Sequence, residues 1–308
     1  MKKTILATML TSLFAATAAH SATVYEADGV TLDLFGDVEI QANKGTEDDA
    51  PKMIHLDDAD FGVQAGYVLS DSLSAIAKIS VTGEDETGST NNIDLDEAFV
   101  GLSFTQFGTV TIGQQYTIAD DIGIANDYAF GINSGYAGVA TDGKQVVKYV
   151  VDNGNYYFGI SYLLNENAAS DDVESIDARL GVRIDELDLT AYLGKADDAD
   201  ASATSVLLEA RYTMDDLALA ASVSSLDGYT SAEDSTAFGL AAAYTVDKVT
   251  YSGGYSLLDV DGDEDKLNTY FVNAAYAFNS NVTVYAELGG DDSDDSELGY
   301  GAGMAVTF

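Results

Sequence analysis

The sequence predicts an all-β fold, a sixteen-stranded antiparallel transmembrane β-barrel. Three observations carry this. Apolar and polar residues alternate with period two through nearly the whole chain, the pattern of strands with one apolar and one polar face. Short turns and longer acidic links take turns between these segments, as in barrels that cross an outer membrane. No stretch keeps the 3.6-residue period of an amphipathic helix, and none after the first residues approaches the ~20 apolar residues of a spanning helix.

The elements follow in order. Met1-Lys2-Lys3 is a basic start, Thr4 to Ala19 an apolar run, and Ala19-His20-Ser21 supplies small residues at a cleavage site. Residues 1–21 therefore read as a secretory signal peptide cut after Ser21, and 22–308 as one barrel domain. The run is too short for a membrane anchor. Short turns are expected at Ser70-Asp71, Gln106-Phe107-Gly108, Asn153-Gly154-Asn155, Asp185-Glu186, Asp215-Asp216, Asp247-Lys248 and Asn279-Ser280-Asn281. Long links are expected at Asn43–Met53, Gly83–Asn92, Thr117–Gly143, Asn165–Glu174, Lys195–Ala201, Asp227–Asp234, Leu258–Asp265 and Gly290–Asp295. The alternation is plain in between: Ile176, Ala178, Leu180 and Val182 against Asp177, Arg179, Gly181 and Arg183; Val282, Val284, Ala286 and Leu288 against Thr283, Tyr285 and Glu287. The single proline, Pro51, falls in the first long link, where it breaks no ladder. The last strand sets Tyr300, Ala302, Met304, Val306 and Phe308 on one face and ends on the aromatic.

Composition narrows the function. There are 13 Lys+Arg against 52 Asp+Glu, a net charge of −39, which argues against nucleic-acid binding. At 46% hydrophobic residues the chain is no disordered acidic polymer. Without cysteine there is no disulfide, thiolate metal site or thiol nucleophile. A soluble sandwich also alternates, but the apolar face here is mostly Leu, Val, Ala, Tyr and Gly with no Trp, which suits lipid better than a packed core. His55, beside Asp57 and Asp58, is the histidine left after the leader, and no serine motif accompanies it. Asp259-Val-Asp-Gly-Asp-Glu-Asp265 has its glycine at the wrong place for an EF-hand. The sequence thus predicts no enzyme, no cofactor and no dedicated metal site. The acidic links form an outward fringe that either shares divalent cations with lipopolysaccharide phosphates or stays hydrated.

Two segments go further. Ala22-Thr-Val-Tyr-Glu-Ala-Asp-Gly-Val-Thr-Leu-Asp-Leu-Phe-Gly-Asp37 resembles the opening strand of the general-diffusion porins of Gram-negative bacteria. Leu95-Asp-Glu-Ala-Phe-Val-Gly-Leu-Ser-Phe104 with Phe107-Gly-Thr-Val-Thr-Ile-Gly-Gln-Gln-Tyr116 resembles their fourth and fifth strands, and the terminal Phe308 resembles the signal read by the outer-membrane insertion machinery. The resemblance implies a homotrimer in the outer membrane, open to ions and small hydrophilic solutes, with a third loop folded into each lumen as a constriction. That loop is Thr117–Gly143, carrying Asp120, Asp121 and Asp127 but lacking the family's proline-bearing tip. Where the family places basic wall residues, this chain has Asp37, Asp60 and Asp96. Strand parity puts Asp37 and Asp60 on polar faces. Lys78, Lys148, Arg179, Arg183 and Arg211 also sit on polar faces, either as a residual basic wall or paired with lumen carboxylates such as Asp177, Asp188 and Glu209.

The expectation is a cation-selective passive diffusion channel. The alternative is a barrel acting chiefly as scaffold for a loop-mediated adhesin or phage receptor. A sugar-binding track finds too little support in the scattered Tyr192, Phe271 and Tyr285.

Overall fold

The computed structural model describes residues 21–83, 93–133, 139–168, 171–197, 202–228, 234–262 and 266–308. Apart from Ser21 and Gly83, the expected leader and the expected link Gly83–Asn92 lie outside the described residues. The strands are β1 (Ala22–Ala27), β2 (Val30–Lys44), β3 (Lys52–Asp58), β4 (Phe61–Ser70), β5 (Leu73–Thr82), β6 (Asp94–Phe104), β7 (Gly108–Tyr116), β8 (Asp142–Asp152), β9 (Tyr156–Ala168), β10 (Asp171–Ile184), β11 (Leu187–Asp197), β12 (Ser202–Met214), β13 (Leu217–Asp227), β14 (Ser235–Val246), β15 (Val249–Val260), β16 (Leu267–Asn279), β17 (Val282–Asp291) and β18 (Gly299–Thr307).

Neighbours pair antiparallel, and β18 returns to β2 with Tyr300 opposite Lys44 and Thr307 opposite Asp37. The sheet is therefore closed, and every rung finds a partner without water, as lipid demands. Both β3 and β4 pair with β2, forming one barrel strand broken at Ala59–Asp60. With β1 a short addition, the eighteen segments make the sixteen strands the sequence predicts.

The opening differs from expectation. Ala22–Asp37 was expected as one strand, but Asp28 (φ 55°) and Gly29 (φ 77°) turn the chain back. Asp-Gly is a strong two-residue hairpin signal, and it lies hidden inside an alternation that continues on both sides. β1 pairs with β2 from Val30 to Leu34, beyond the end of β18. Three of the expected turns hold their first residue in the left-handed region, Asp185 (φ 53°), Asp215 (φ 49°) and Asp247 (φ 53°). Aspartate tolerates that conformation through its short polar side chain.

The two faces separate cleanly. On β12, Val206 and Leu208 are exposed outward while Ser205, Leu207 and Glu209 are buried inward. Exposed tyrosines mark the outer rims: Tyr156, Tyr212, Tyr244, Tyr251 and Tyr276 near the short turns, Tyr162, Tyr255, Tyr270 and Tyr300 near the long links. Such girdles sit at the two membrane interfaces. On the inner face, Phe35, Tyr157, Phe271 and Tyr285 lie directly across from Gly62, Gly181, Gly254 and Gly303. Each ring occupies the space that a side chain on its glycine would fill, the aromatic rescue of a strand glycine.

The buried apolar cluster of the described residues is Ile118, Ala119, Ile122, Val139, Tyr192 and Leu207. It lies inside the barrel, between the β7–β8 link and the wall, so the side chains that pack as a core do so within the lumen.

Candidate functional site

The β7–β8 link, 117–141, begins with a single 3-10 turn, Ala119–Asp121. It then runs along the inner wall, crossing strand after strand. Ile118 N–H donates to Ser161 Oγ on β9 (2.8 Å). Arg179 on β10 holds Asp121 through Nη2 to Oδ2 (3.0 Å) and Nη1 to the backbone oxygen (3.1 Å). Glu209 on β12 accepts Gly123 N–H (2.7 Å) and pairs with Arg211 (2.8 Å), which also donates to the Gly123 oxygen. Asn126 Nδ2 donates to Ser252 Oγ on β15 (2.7 Å), and Asn273 Nδ2 on β16 donates to Asn126 O (2.8 Å).

The strongest attachment is on β17. Glu287, 2% exposed, accepts the consecutive N–H groups of Tyr128 (2.8 Å), Ala129 (2.9 Å) and Phe130 (2.7 Å), and Asn273 Nδ2 as well (2.9 Å). Bonds to a charged acceptor are the stronger kind. The Tyr128 ring stacks on Tyr285 at 3.9 Å with 9° between planes, and Gln41 Nε2 on β2 donates to Tyr128 O (3.3 Å). Beyond it Asn133 N–H donates to Ser256 Oγ (2.9 Å). Between these bonds, apolar side chains bury against the wall; full burial of an isoleucine or phenylalanine stabilises by roughly 1.5–3 kcal/mol.

The predicted acids take the following places. Asp37 and Glu39 alternate with outward Val38 and Ile40 on β2. Asp37 and Asp60 exchange backbone bonds across the β3–β4 break (3.0 and 3.1 Å). The carboxylates of Asp37, Asp58 and Asp60 lie within 4.8 Å of one another, a spacing at which they can share a cation. The parity of Asp96 against Glu97 is decided by a bulge. Val81 pairs with Leu95 and Ile79 with Ala98, so both acids face Ser80. Asp96 accepts from Ser80 Oγ (2.8 Å) and Tyr116 OH (2.8 Å), while Glu97 pairs with Lys78. Asp120 is exposed at the surface of the loop, but the enclosing wall and then Asp121 push its carboxyl up to about 6. Burial, and then Glu287, hold Asp127 above the usual carboxylate range.

Of the two arrangements open to the basic residues, the structure has mostly pairing. Lys78 meets Glu97, Arg183 meets Asp152 (2.8 Å) and Asp188 (3.2 Å), and Arg211 meets Glu209. Arg179 meets Asp121 of the loop rather than a wall acid. Lys148 sits in the field of Asp121, Glu97 and Asp120. Arg179 and Arg183 also lie over the Tyr157 ring, at 5.5 and 4.4 Å.

The remaining residues are quickly placed. Phe308 exchanges backbone bonds with Gly36 (2.8 and 2.9 Å), and its ring covers the face where Gly36 lacks a side chain. His55 Nε2 lies 3.2 Å from Asp57 Oδ1, and among the described residues its Nδ1 has no hydrogen-bond partner. Tyr192, Phe271 and Tyr285 are buried (2%, 1% and 5% exposed) and present no row of rings to a sugar. Sequence reasoning missed Glu287 and Asp58 as site residues and named Glu209 only as a partner for the basic ones. Their inward parity was readable, but what they meet is not.

A family model described as Gram-negative porin matches residues 7–296. Porin-like protein H of Photobacterium profundum is 37% identical over an alignment of 336 residues that covers the whole of both chains. A loop-deletion mutant of OmpT, an outer membrane protein of Vibrio cholerae, superposes with TM-score 0.79 at 23% identity, covering 91% of this chain and all of the other; the trimer form of OmpT gives 0.75 at 20%, with the same coverage. An anion-selective porin from Comamonas acidovorans gives 0.74 at 15% identity, covering 91% and 100%.

Proposed function

The chain belongs to the Gram-negative porin family, and from that premise we propose that it is a cation-selective passive diffusion channel for ions and small hydrophilic solutes. Members of this family are outer-membrane channels, not enzymes. A barrel of the same shape is described as anion-selective, so the sign of selectivity rests on side chains rather than on the fold.

The observation that carries the reading is the division of the inner wall. The loop's described contacts fall on β8–β18 and on Gln41 of β2. Asp37, Asp58, Asp60 and Asp96 face inward on the opposite side, β2 to β6. The loop thus acts as a constriction that leaves the acidic side open. Four of the five inward basic groups named above are tied up in ion pairs. Rings of acids favour cations, and low-dielectric walls focus their field.

The test replaces Asp37 and Asp60 with Lys together, changing the local charge by two units at each position while leaving the acidic outer links intact. In a salt gradient across a planar bilayer, the reversal potential should move toward the anion side. The shift should be larger at 0.1 M, where the Debye length is ~10 Å, than at 1 M, where it is ~3 Å. A reversal potential unmoved from wild type would assign selectivity to the outer links.

The same reading includes a homotrimer. Exposed tyrosines are spread over β9–β18, whereas β2–β7 expose Tyr67 and otherwise chiefly aliphatic side chains such as Val38, Ile40, Ile79, Val100 and Ile112. Aromatic girdles accompany lipid contact, so their thinning supports β2–β7 as the subunit face.

A further inference from the structure

The inner wall carries glycines where the loop passes, and the loop's apolar side chains occupy the vacated spaces. A Cβ on Gly159 would come 2.5 Å from Ile118 Cδ1, and one on Gly194 would come 2.7 Å from Val139 Cγ2. On Gly239 it would meet Ile124 and Ile132, each at 3.3 Å, and on Gly254 it would meet Ile132 at 3.0 Å. On Gly289 and Gly299 it would overlap Phe130, and on Gly301 it would come 3.1 Å from Ala129. These glycines sit on β9, β11, β14, β15, β17 and β18, with Gly299 and Gly301 sharing the last strand.

We infer that this glycine track fixes the path of the β7–β8 loop and so sets the cross-section and selectivity of the channel. The inference rests on the channel reading above. The hydrogen bonds alone hold the loop at a few points; the track brings its described backbone close to the wall between them. Gly289 is the most sensitive point. The overlap there is with Phe130 Cβ and Cγ, close to the loop backbone, so turning the ring gives no relief. A side chain at Gly289 has to push the whole 128–130 segment off the wall and toward the acidic side. Gly299 meets only the far edge of the same ring. A substitution there is absorbed more easily.

The track also gives the inward glycines a purpose distinct from the pairs formed with Phe35, Tyr157 and Tyr285. Those glycines accept a ring from the neighbouring strand, whereas Gly159, Gly239 and Gly289 accept side chains from the loop. Gly254 does both, meeting Phe271 and Ile132.

The experiment measures single-channel conductance and reversal potential for wild type, Gly289→Val, Gly289→Val with Phe130→Gly, and Gly253→Ala, whose change lies on the outer face. Gly289→Val should lower conductance about two-fold or more by moving the loop into the water path, since pore width governs passage. Removing the whole Phe130 side chain, Cβ included, in the same chain should restore much of it. Gly253→Ala should behave as wild type. If Gly289→Val yields too little folded protein, Gly299→Val supplies the milder perturbation and should lower conductance less. Wild-type conductance and selectivity in the folded Gly289→Val or Gly299→Val channel would overturn the track. A wild-type protein that conducts no ions would instead overturn the channel reading, so the two failures are distinguishable.

Discussion

Glu287→Ala tests the loop attachment most directly, because one side chain receives three consecutive amides. A hydrogen bond to a charged group contributes roughly 1.5–3 kcal/mol net, so at the lower figure the three together hold the segment by about 5 kcal/mol. Lumen water rehydrates the amides once the segment lifts, and half of that, about 2.5 kcal/mol, is the working value. This shifts the ratio of attached to lifted segment roughly sixty-fold, at about 1.4 kcal/mol per factor of ten. The Tyr128–Tyr285 stack and the Phe130 seat remain, so the segment lifts part of the time rather than leaving. Recorded at constant voltage in a planar bilayer, the variant should show open-channel noise and brief partial closures absent from wild type. Glu287→Gln keeps one carbonyl acceptor and should be intermediate. An alanine variant that assembles normally and conducts as quietly as wild type would refute the attachment.

Three further outcomes are expected. Unboiled protein should run on a gel far from its boiled position, as a trimer, and deleting Phe308 should reduce that band by removing the two backbone bonds to Gly36 and the ring that covers it; a lone monomer band, or a normal yield after deletion, would count against the trimer and the terminal signal respectively. Asp120, raised from 3.8 to about 6, binds its proton more tightly in the folded protein, so its contribution to stability grows as pH falls from about 7 toward 4; the melting temperature should rise over that interval more in wild type than in Asp120→Asn, and equal pH profiles would contradict the shift.

The barrel was legible because alternation is a local property. Parity alone placed Asp37 and Asp60 inward, since both are flanked by outward side chains such as Val38 and Phe61. Parity failed where the backbone slips: the bulge that turns both Asp96 and Glu97 toward Ser80 depends on how two strands register, which neither strand encodes alone. The Asp28-Gly29 hairpin was written in the sequence, yet unbroken alternation on either side concealed it. What the loop touches was illegible for another reason. Phe130 and Gly299 meet across more than half the chain, and no periodicity reports a contact that the closed barrel alone creates.

The meeting of β2 with β18 governs how such a molecule comes to exist. Eight register pairs join β2 to β18, the last strand of the barrel, so the sheet has two open edges until β18 has been made. Contacts of such long sequence separation form late and slowly. Until then the unpaired edges are templates for aggregation. The mutual bonds between Gly36 and Phe308 lie at the far end of this seam, one step beyond the last paired rung. Folding here resembles fastening a cylinder along one line: most of the surface can be in place while the object is still a sheet, and stability arrives with the final edge.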